Sequence, residues 1–132
     1  PPLNIGGYKI DKDTNTCPIF ITYHKSEDIN DTIKYEDELV SESTLRWFSK
    51  NKRNLASPDV KQIIGSATNG LRLELFIIKD DAEGGDFYYL GPLSYIDNSA
   101  EEMEKAGESV VSMLFSLVEP VQADLFHYLT TK

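Results

Sequence analysis

The alternation of apolar and polar residues predicts mainly β-strands along this chain. In residues 71–79 the alternation is strict at first and then becomes a continuous apolar run, as is typical of a strand covered on both faces at one end. An acidic turn at 80–86 and an aromatic run at 87–91 follow, so these three segments predict a β-hairpin. Residues 7–10 and 18–24, joined by a polar turn, predict a second pair of strands.

Helical signals are short and lie between the predicted strands. Ser41 or Ser43 is placed to cap a helix that runs to about Lys50. Ser57-Pro58 predicts the start of a second helix, with serine as the cap and proline at the first helical position, and this helix ends before Gly65.

The C-terminal third predicts one more strand between two helices. Ser99 with Glu102 three residues later matches the capping-box pattern and predicts a small acidic helix that closes at Gly107. Residues 110–118 predict a strand, and residues 123–129 predict a terminal helix.

These elements together place the chain in the α+β class. Strands dominate and the helices are short, so we expect a strongly curved mixed β-sheet or partly open barrel with helices at its ends. The 132 residues contain no internal repeat and no low-complexity linker, which predicts a single domain over residues 1–132. Because the first residue is Pro1, we expect the domain to be excised from a larger protein.

Charge is distributed unevenly along the chain. The whole chain carries a formal charge of −9, whereas residues 43–62 contain five basic residues and one acidic residue, for a local charge of +4. The cations stand beside Trp47 and Phe48, and such a mixture suits a polyanion because it offers charge to phosphates and flat faces to bases. The alternative is a solvated amphipathic segment whose Trp47 belongs to the core. An isoelectric point near 4.6 requires any nucleic-acid surface to be localised.

Other function classes find little support in the sequence. Cys17 is the only cysteine, which excludes an internal disulfide and fits a reducing cytoplasm, and the two histidines match no usual metal spacing. No apolar run approaches the roughly 20 residues that a membrane helix needs, so we expect no membrane partner. Nucleophile elbows, phosphate loops and zinc-hydrolase motifs are absent. We therefore expect a domain that is not an enzyme and binds no metal or cofactor.

Several motifs recur in an order that resembles a known family. They are the residues at 18–25, 35–38, 45–53, 57–58, 75–79, 87–92 and 113–117. The chain is similar over nearly its whole length to the C-terminal specificity domain of SauUSI-like type IV restriction enzymes. Members of that family also carry a phospholipase D-like nuclease and a superfamily 2 helicase.

The resemblance implies a target-recognition domain for double-stranded DNA that contains 5-methylcytosine or 5-hydroxymethylcytosine. The nuclease and helicase domains of the parent chain would be its partners, and the motor would require ATP and a divalent metal. Two architectures fit such a role: a base-flipping barrel like the SET- and RING-associated domains, and a pseudobarrel like those of plant transcription factors. The sequence does not separate them.

A base pocket is predicted between the loop that carries Tyr35, Glu36 and Asp37 and the segment that carries Trp47 and Ser49, with Tyr23 as a second stacking wall. Its candidate residues are Tyr23, Tyr35, Glu36, Asp37, Trp47 and Ser49. Aromatic faces can stack on a base, and a carboxylate can accept a hydrogen bond from the exocyclic amine of cytosine. Asp37 is the preferred acceptor because it lies close to Tyr35 and the chain becomes apolar shortly afterwards. The alternative is a solvated acidic loop beside core aromatics.

A second set of residues is predicted to contact the DNA backbone or groove. These residues are His24, Lys25, Arg46, Lys50, Asn51, Lys52 and Arg53. Cationic side chains that meet phosphates supply affinity without sequence preference. A different hypothesis treats the acidic majority of the surface as the working face of a protein–protein module that docks on the helicase or on a partner subunit.

Overall fold

The computed structural model describes residues 7–24, 37–80 and 87–131, and for Tyr23, His24 and Asp80 it describes only the backbone. The elements in chain order are β1 (Gly7–Tyr8), β2 (Thr16–His24), β3 (Glu38–Ser41), β4 (Thr44–Phe48), α1 (Pro58–Ile64), α2 (Ser66–Asn69), β5 (Arg72–Asp80), β6 (Tyr88–Tyr95), β7 (Glu101–Lys105), β8 (Glu108–Leu117) and α3 (Ala123–Thr130). The predicted mixed sheet with short helices is confirmed.

One sheet contains all of these strands, in the order β1-β2-β5-β6-β8-β4-β3. The pairing of β2 with β5 is parallel, and the other pairings are antiparallel. β8 is the longest strand and pairs with β4 on one edge, while β6 and β7 pair with different parts of the strand. β8 therefore connects the two halves of the sheet.

The sheet curves strongly, and the contact between Tyr8 on β1 and Trp47 on β4 shows this. Four strands separate β1 from β4 in the sheet, which would place them roughly 24 Å apart if the sheet were flat. Their ring centroids are instead 4.9 Å apart. In the described part of the chain no backbone ladder joins β1 to β3 or β4, so the sheet curls without closing.

The core fills the inside of this curve. Its fully buried side chains come from both halves of the sheet and from the helices, and include Ile19, Ile21, Leu45, Val60, Ile63, Leu73, Leu75, Ile77, Met113, Phe115 and Leu129. The predicted helix after Ser57 is confirmed as α1, which buries Val60 and Ile63. The predicted terminal helix is confirmed as α3 and buries Leu129.

Two predicted helices are wrong, and the first lies before Lys50. Residues 38–48 form the β3–β4 hairpin. Leu45 and Trp47 are 0% and 2% exposed, whereas Arg46 between them bonds to Glu38 on the neighbouring strand. This period of two is that of a strand with one face in the core, and burial of that face outweighs the helix-capping tendency of Ser41 and Ser43.

The second wrong helix is the one predicted between Ser99 and Gly107. The Ser99 Oγ accepts from the N–H of Leu114 at 3.0 Å, so this hydroxyl ties the chain to β8 and does not cap a helix. β7 follows and pairs with β8 across a two-residue turn. Ala106 and Gly107 have φ of 52° and 84°, and positive φ at both positions is the signature of a type I′ hairpin turn.

Candidate nucleic-acid interface

The cationic segment after β4 is fixed along the edge of β8. The Ser49 N–H donates to the carbonyl of Val111 at 2.9 Å, and the Val111 N–H donates back to Ser49 Oγ at 2.9 Å. Further on, the Arg53 N–H donates to the carbonyl of Ser109 at 3.2 Å. Because the backbone is held at both ends, the side chains between Ser49 and Arg53 leave the sheet from defined positions.

Lys52 occupies an unusual backbone conformation within this segment. Its φ is 62°, in the left-handed region that non-glycine residues adopt at a cost. The side chain is exposed, so packing does not account for a lysine here.

Tyr8, Arg53 and Asp59 form a hydrogen-bonded cluster from three parts of the chain. The Tyr8 hydroxyl donates to Asp59 Oδ2 at 2.7 Å and accepts from the N–H of Lys50 at 3.2 Å. The Arg53 Nε lies 3.1 Å and 2.9 Å from the two carboxylate oxygens of Asp59. The Lys50 Nζ lies 4.6 Å from the centre of the Tyr8 ring, within the range of a cation–π contact.

The protonation states of this cluster follow from its contacts. Burial alone would raise the pKa of Asp59, but the hydrogen bonds from Tyr8 and Arg53 and the charge of the guanidinium outweigh it, so the pKa of Asp59 is lowered. The hydrogen bond to Asp59 raises the pKa of Arg53. Burial and the hydrogen bond to Asp59 raise the pKa of the Tyr8 phenol, which therefore stays a neutral donor.

These residues line an open cleft of about 510 Å³, which we call the cationic cleft. Its lining consists of Tyr8, Lys9, Ile10, Lys50, Lys52, Arg53, Ser57, Pro58 and Asp59. Four cationic side chains face one carboxylate here, so the cleft carries a formal charge of +3 in a chain whose total is −9. Such a site attracts anions through a focused local potential.

The structure brings together three of the residues that were predicted to contact the DNA backbone, and it places a fourth, Arg46, elsewhere. Lys50, Lys52 and Arg53 line the cationic cleft, and the Asn51 carbonyl supports Arg53 by accepting from its Nη1 at 3.2 Å. Arg46 does not line the cleft, because its Nη2 pairs with Glu38 Oε2 at 3.0 Å on the β3–β4 hairpin. Lys25 and the side chain of His24 lie outside the described residues.

The predicted base-pocket residues have different environments. The Asp37 Oδ1 accepts from the N–H of Phe48 at 2.8 Å. The Trp47 ring is in the core, 2% exposed, as the alternative interpretation of the sequence has it. Ser49 is also buried, with its hydroxyl bonded to the backbone. Tyr35, Glu36 and the side chain of Tyr23 lie outside the described residues, so the base pocket remains a prediction.

The cationic cleft has three charged or hydrogen-bonding residues that the sequence did not predict as site residues: Tyr8, Lys9 and Asp59. Tyr8 and Asp59 are 51 positions apart and meet only because the sheet curls. Asp59 stands at the start of α1, where an acidic residue is ordinary helix chemistry. No sequence pattern around Tyr8 or Asp59 indicates that the two residues are in contact.

Within residues 7–24, 37–80 and 87–131 no group of three or more His, Cys, Asp or Glu side chains is arranged to hold a metal ion. The helices in these same ranges are too short to cross a membrane.

Residues 1–129 match the family described as Domain of unknown function (DUF3427), and the chain belongs to that family. No curated protein matches the chain. Among solved structures, the curved sheet is similar to the SRA domain of SUVH5 in complex with fully methylated CG DNA. The TM-score is 0.51 at 13% identity, over 89% of this chain and 77% of that one.

Two further structures show the same similarity. SUVH5 SRA with methylated CHH DNA gives a TM-score of 0.51 at 13% identity, over 89% of this chain and 74% of that one. SUVH6 of Arabidopsis thaliana in complex with SAM gives 0.52 at 9% identity, over 89% of this chain and 22% of that much longer one. The fold therefore resembles the SRA (SET- and RING-associated) pseudobarrel.

Proposed function

We propose that this domain recognises double-stranded DNA that carries 5-methylcytosine or 5-hydroxymethylcytosine, without being catalytic itself. The observation that carries the proposal is the architecture: 89% of the chain superposes on SRA domains solved with methylated CG and methylated CHH DNA. An identity of 13% supports a shared fold but not a shared set of contacts, so any DNA contacts depend on this chain's own residues.

The cationic cleft supports DNA as the ligand. An acidic chain with an isoelectric point near 4.6 is a poor general binder of nucleic acid. The cleft removes this objection because four of its lining residues, Lys9, Lys50, Lys52 and Arg53, concentrate positive charge on one face. The acidic remainder of the surface then disfavours binding in other orientations.

The modified base would be held beside Asp37. A methyl group on cytosine offers only apolar contact, so enclosing the base after flipping gives more discrimination than contact in the groove. Flipping costs a few kcal/mol, which stacking and hydrogen bonds inside a pocket recover. The bond from Phe48 N–H to Asp37 Oδ1 fixes this carboxylate at the end of β4, next to the segment that leads into the cationic cleft.

The parent protein is proposed from the family resemblance. We infer a cytoplasmic type IV restriction enzyme in which this domain directs a nuclease and an ATP-driven helicase to modified DNA. The order in which the sequence motifs occur between residues 18 and 117 supports this inference. Cleavage assays of the whole parent chain, with and without cytosine methylation in the substrate, test it.

The recognition proposal is tested with two duplexes that are identical except for methylation. We expect the 132-residue chain to bind the methylated duplex more tightly at every salt concentration. Equal affinity for both duplexes would refute recognition of the modification while leaving DNA binding intact. Absence of duplex binding, together with tight binding to the isolated helicase, would favour the docking module instead.

A further inference from the structure

Asp59 is a carboxylate at the edge of a site that otherwise suits anions. Placed next to a phosphate, its charge opposes binding. Its contacts have the opposite effect, because both of its oxygens lie within 3.1 Å of Arg53 Nε and Oδ2 also accepts from the Tyr8 hydroxyl. Asp59 is thus either a net cost to DNA binding or the residue that keeps the cleft in shape.

We infer that the cationic cleft is a clamp for the phosphodiester backbone in which Asp59 is a positioning residue that acts through Arg53. The inference rests on the proposed function, since it takes DNA as the ligand. Lys9, Lys50 and Lys52 supply the charge. Lys9 directly follows β1, so the clamp joins two parts of the chain that are far apart in sequence.

The geometry of Arg53 supports a fixed donor. Its Nε is held by Asp59 and its Nη1 by the Asn51 carbonyl at 3.2 Å, while its backbone N–H is bonded to Ser109. A planar guanidinium held on two sides loses little further freedom when it meets a phosphate oxygen. Without Asp59 the same side chain would sample many rotamers at an exposed surface.

The lysines are also placed by neighbouring groups. Lys50 Nζ lies over the Tyr8 ring at 4.6 Å, and Tyr8 is held by Asp59. Asp59 therefore orients Arg53 directly and Lys50 through Tyr8. Because Arg53 and Asp59 offset each other's charge, the three lysines account for the +3 of the cleft.

The first test measures the salt dependence of binding to an unmethylated duplex. Each phosphate contact that is lost should lower the slope of log K against log salt by about 0.9. We expect Lys9→Ala to lower the slope by about that amount. Lys61→Ala is the matched control, because Lys61 is an exposed cation on α1 that does not line the cleft. Equal slopes for Lys9→Ala and wild type would refute the clamp.

The second test uses the sign of the effect of Asp59→Asn. Removal of a negative charge near DNA should tighten binding if charge alone matters. A positioning role predicts weaker binding despite the gain in net charge. Glu119→Gln is the control. Glu119 is exposed and lies just after the C-terminal end of β8, whereas Ser109, which binds the Arg53 N–H, lies near the other end of that strand. Tighter binding by Asp59→Asn would overturn the positioning role.

A double-mutant cycle shows whether Asp59 acts through Arg53. In an Arg53→Ala background the direct effect on Arg53 is gone, and the amide oxygen that Asp59→Asn introduces can still accept from the Tyr8 hydroxyl that orients Lys50. Asp59→Asn should therefore strengthen binding in this background, and the sign reverses. The same weakening in both backgrounds would contradict the inference. Thermal melting of each variant verifies that it is folded.

The clamp and the proposed function fail in different ways. The slope measurements use unmethylated DNA, whereas modification recognition depends on the ratio of affinities for the two duplexes. If Lys9→Ala lowers the salt slope as expected but the domain binds methylated and unmethylated duplexes equally, only the proposed function is refuted. Methyl preference that persists while Lys9→Ala leaves the slope unchanged refutes only the clamp.

Discussion

The Lys50 ammonium lies 4.6 Å from the centre of the Tyr8 ring, and the Trp47 ring also contacts Tyr8, at 4.9 Å between centroids. Tyr8 therefore separates the cationic cleft from the core. A ligand in the cleft is one aromatic ring away from the only tryptophan of the chain. This arrangement provides a direct optical test of where the DNA binds.

We expect Trp47 fluorescence to be blue-shifted and protected from acrylamide in the free domain, because its side chain is 2% exposed. Binding of methylated duplex should change the emission only slightly, since Tyr8 lies between the cleft and the indole. Strong quenching on addition of methylated duplex, absent with the unmethylated control, would instead place Trp47 against a base, as the base-pocket hypothesis has it.

Substitutions at Lys52 should separate backbone strain from DNA binding. Lys52 has a φ of 62°, which glycine adopts without penalty and alanine does not. We expect Lys52→Gly to have a free energy of unfolding higher than that of Lys52→Ala by roughly 1 kcal/mol. Both variants should weaken duplex binding equally, because both lose the ammonium.

Urea unfolding measures the first quantity and duplex titration the second. If Lys52→Ala is the more stable variant, the left-handed conformation at this position is incorrect. If both variants bind as tightly as wild type, Lys52 does not contact DNA.

Those parts of the fold with a clear periodicity could be predicted from the sequence. The run at 71–79 became β5, and the Ser57-Pro58 signal became α1. The β3–β4 hairpin could not be predicted in this way, because Phe48 follows Trp47 and hides a period of two that only Leu45 and Trp47 display. The capping signal at Ser99 was misleading because its hydroxyl bonds across to β8.

The cationic cleft was predictable only in part, for a different reason. Lys50, Lys52 and Arg53 are close in sequence, and their contrast with the acidic remainder marks them as a candidate site. Tyr8 and Lys9 join them through the curvature of an eight-stranded sheet, which depends on all the pairings at once. No local pattern encodes such a juxtaposition.

The Arg53–Asp59 pair should make stability depend on acid pH. The pKa of Asp59 is lower in the folded protein than its ordinary 3.8, so ionised Asp59 stabilises the fold above that value. This contribution is lost as the pH falls from about 4 through the folded pKa. We expect the melting temperatures of wild type and Asp59→Asn to differ at pH 7 and to converge at low pH.

Melting curves recorded from pH 7 to pH 2 provide the measurement. Asp124→Asn serves as the control, because Asp124 is exposed on α3 and outside the cleft. A difference between wild type and Asp59→Asn that stays constant down to pH 2 would show that the charge of Asp59 is not what stabilises the fold.

Asp37 is expected both to stabilise the fold and to bind the modified base, and two substitutions distinguish these roles. Asp37→Ala removes the acceptor of the Phe48 N–H and should cost roughly 1–3 kcal/mol of stability. Asp37→Asn keeps a side-chain oxygen for that N–H and should remain close to wild type in stability. If the carboxylate also accepts from the cytosine amine, the Asp37→Asn variant must still lose the preference for methylated DNA, because a neutral amide is a weaker acceptor than a carboxylate.

The measurement is the ratio of affinities for methylated and unmethylated duplex, and urea unfolding of each variant gives its stability. A folded Asp37→Asn domain that retains the full ratio would give Asp37 a purely structural role and move the base pocket to other residues.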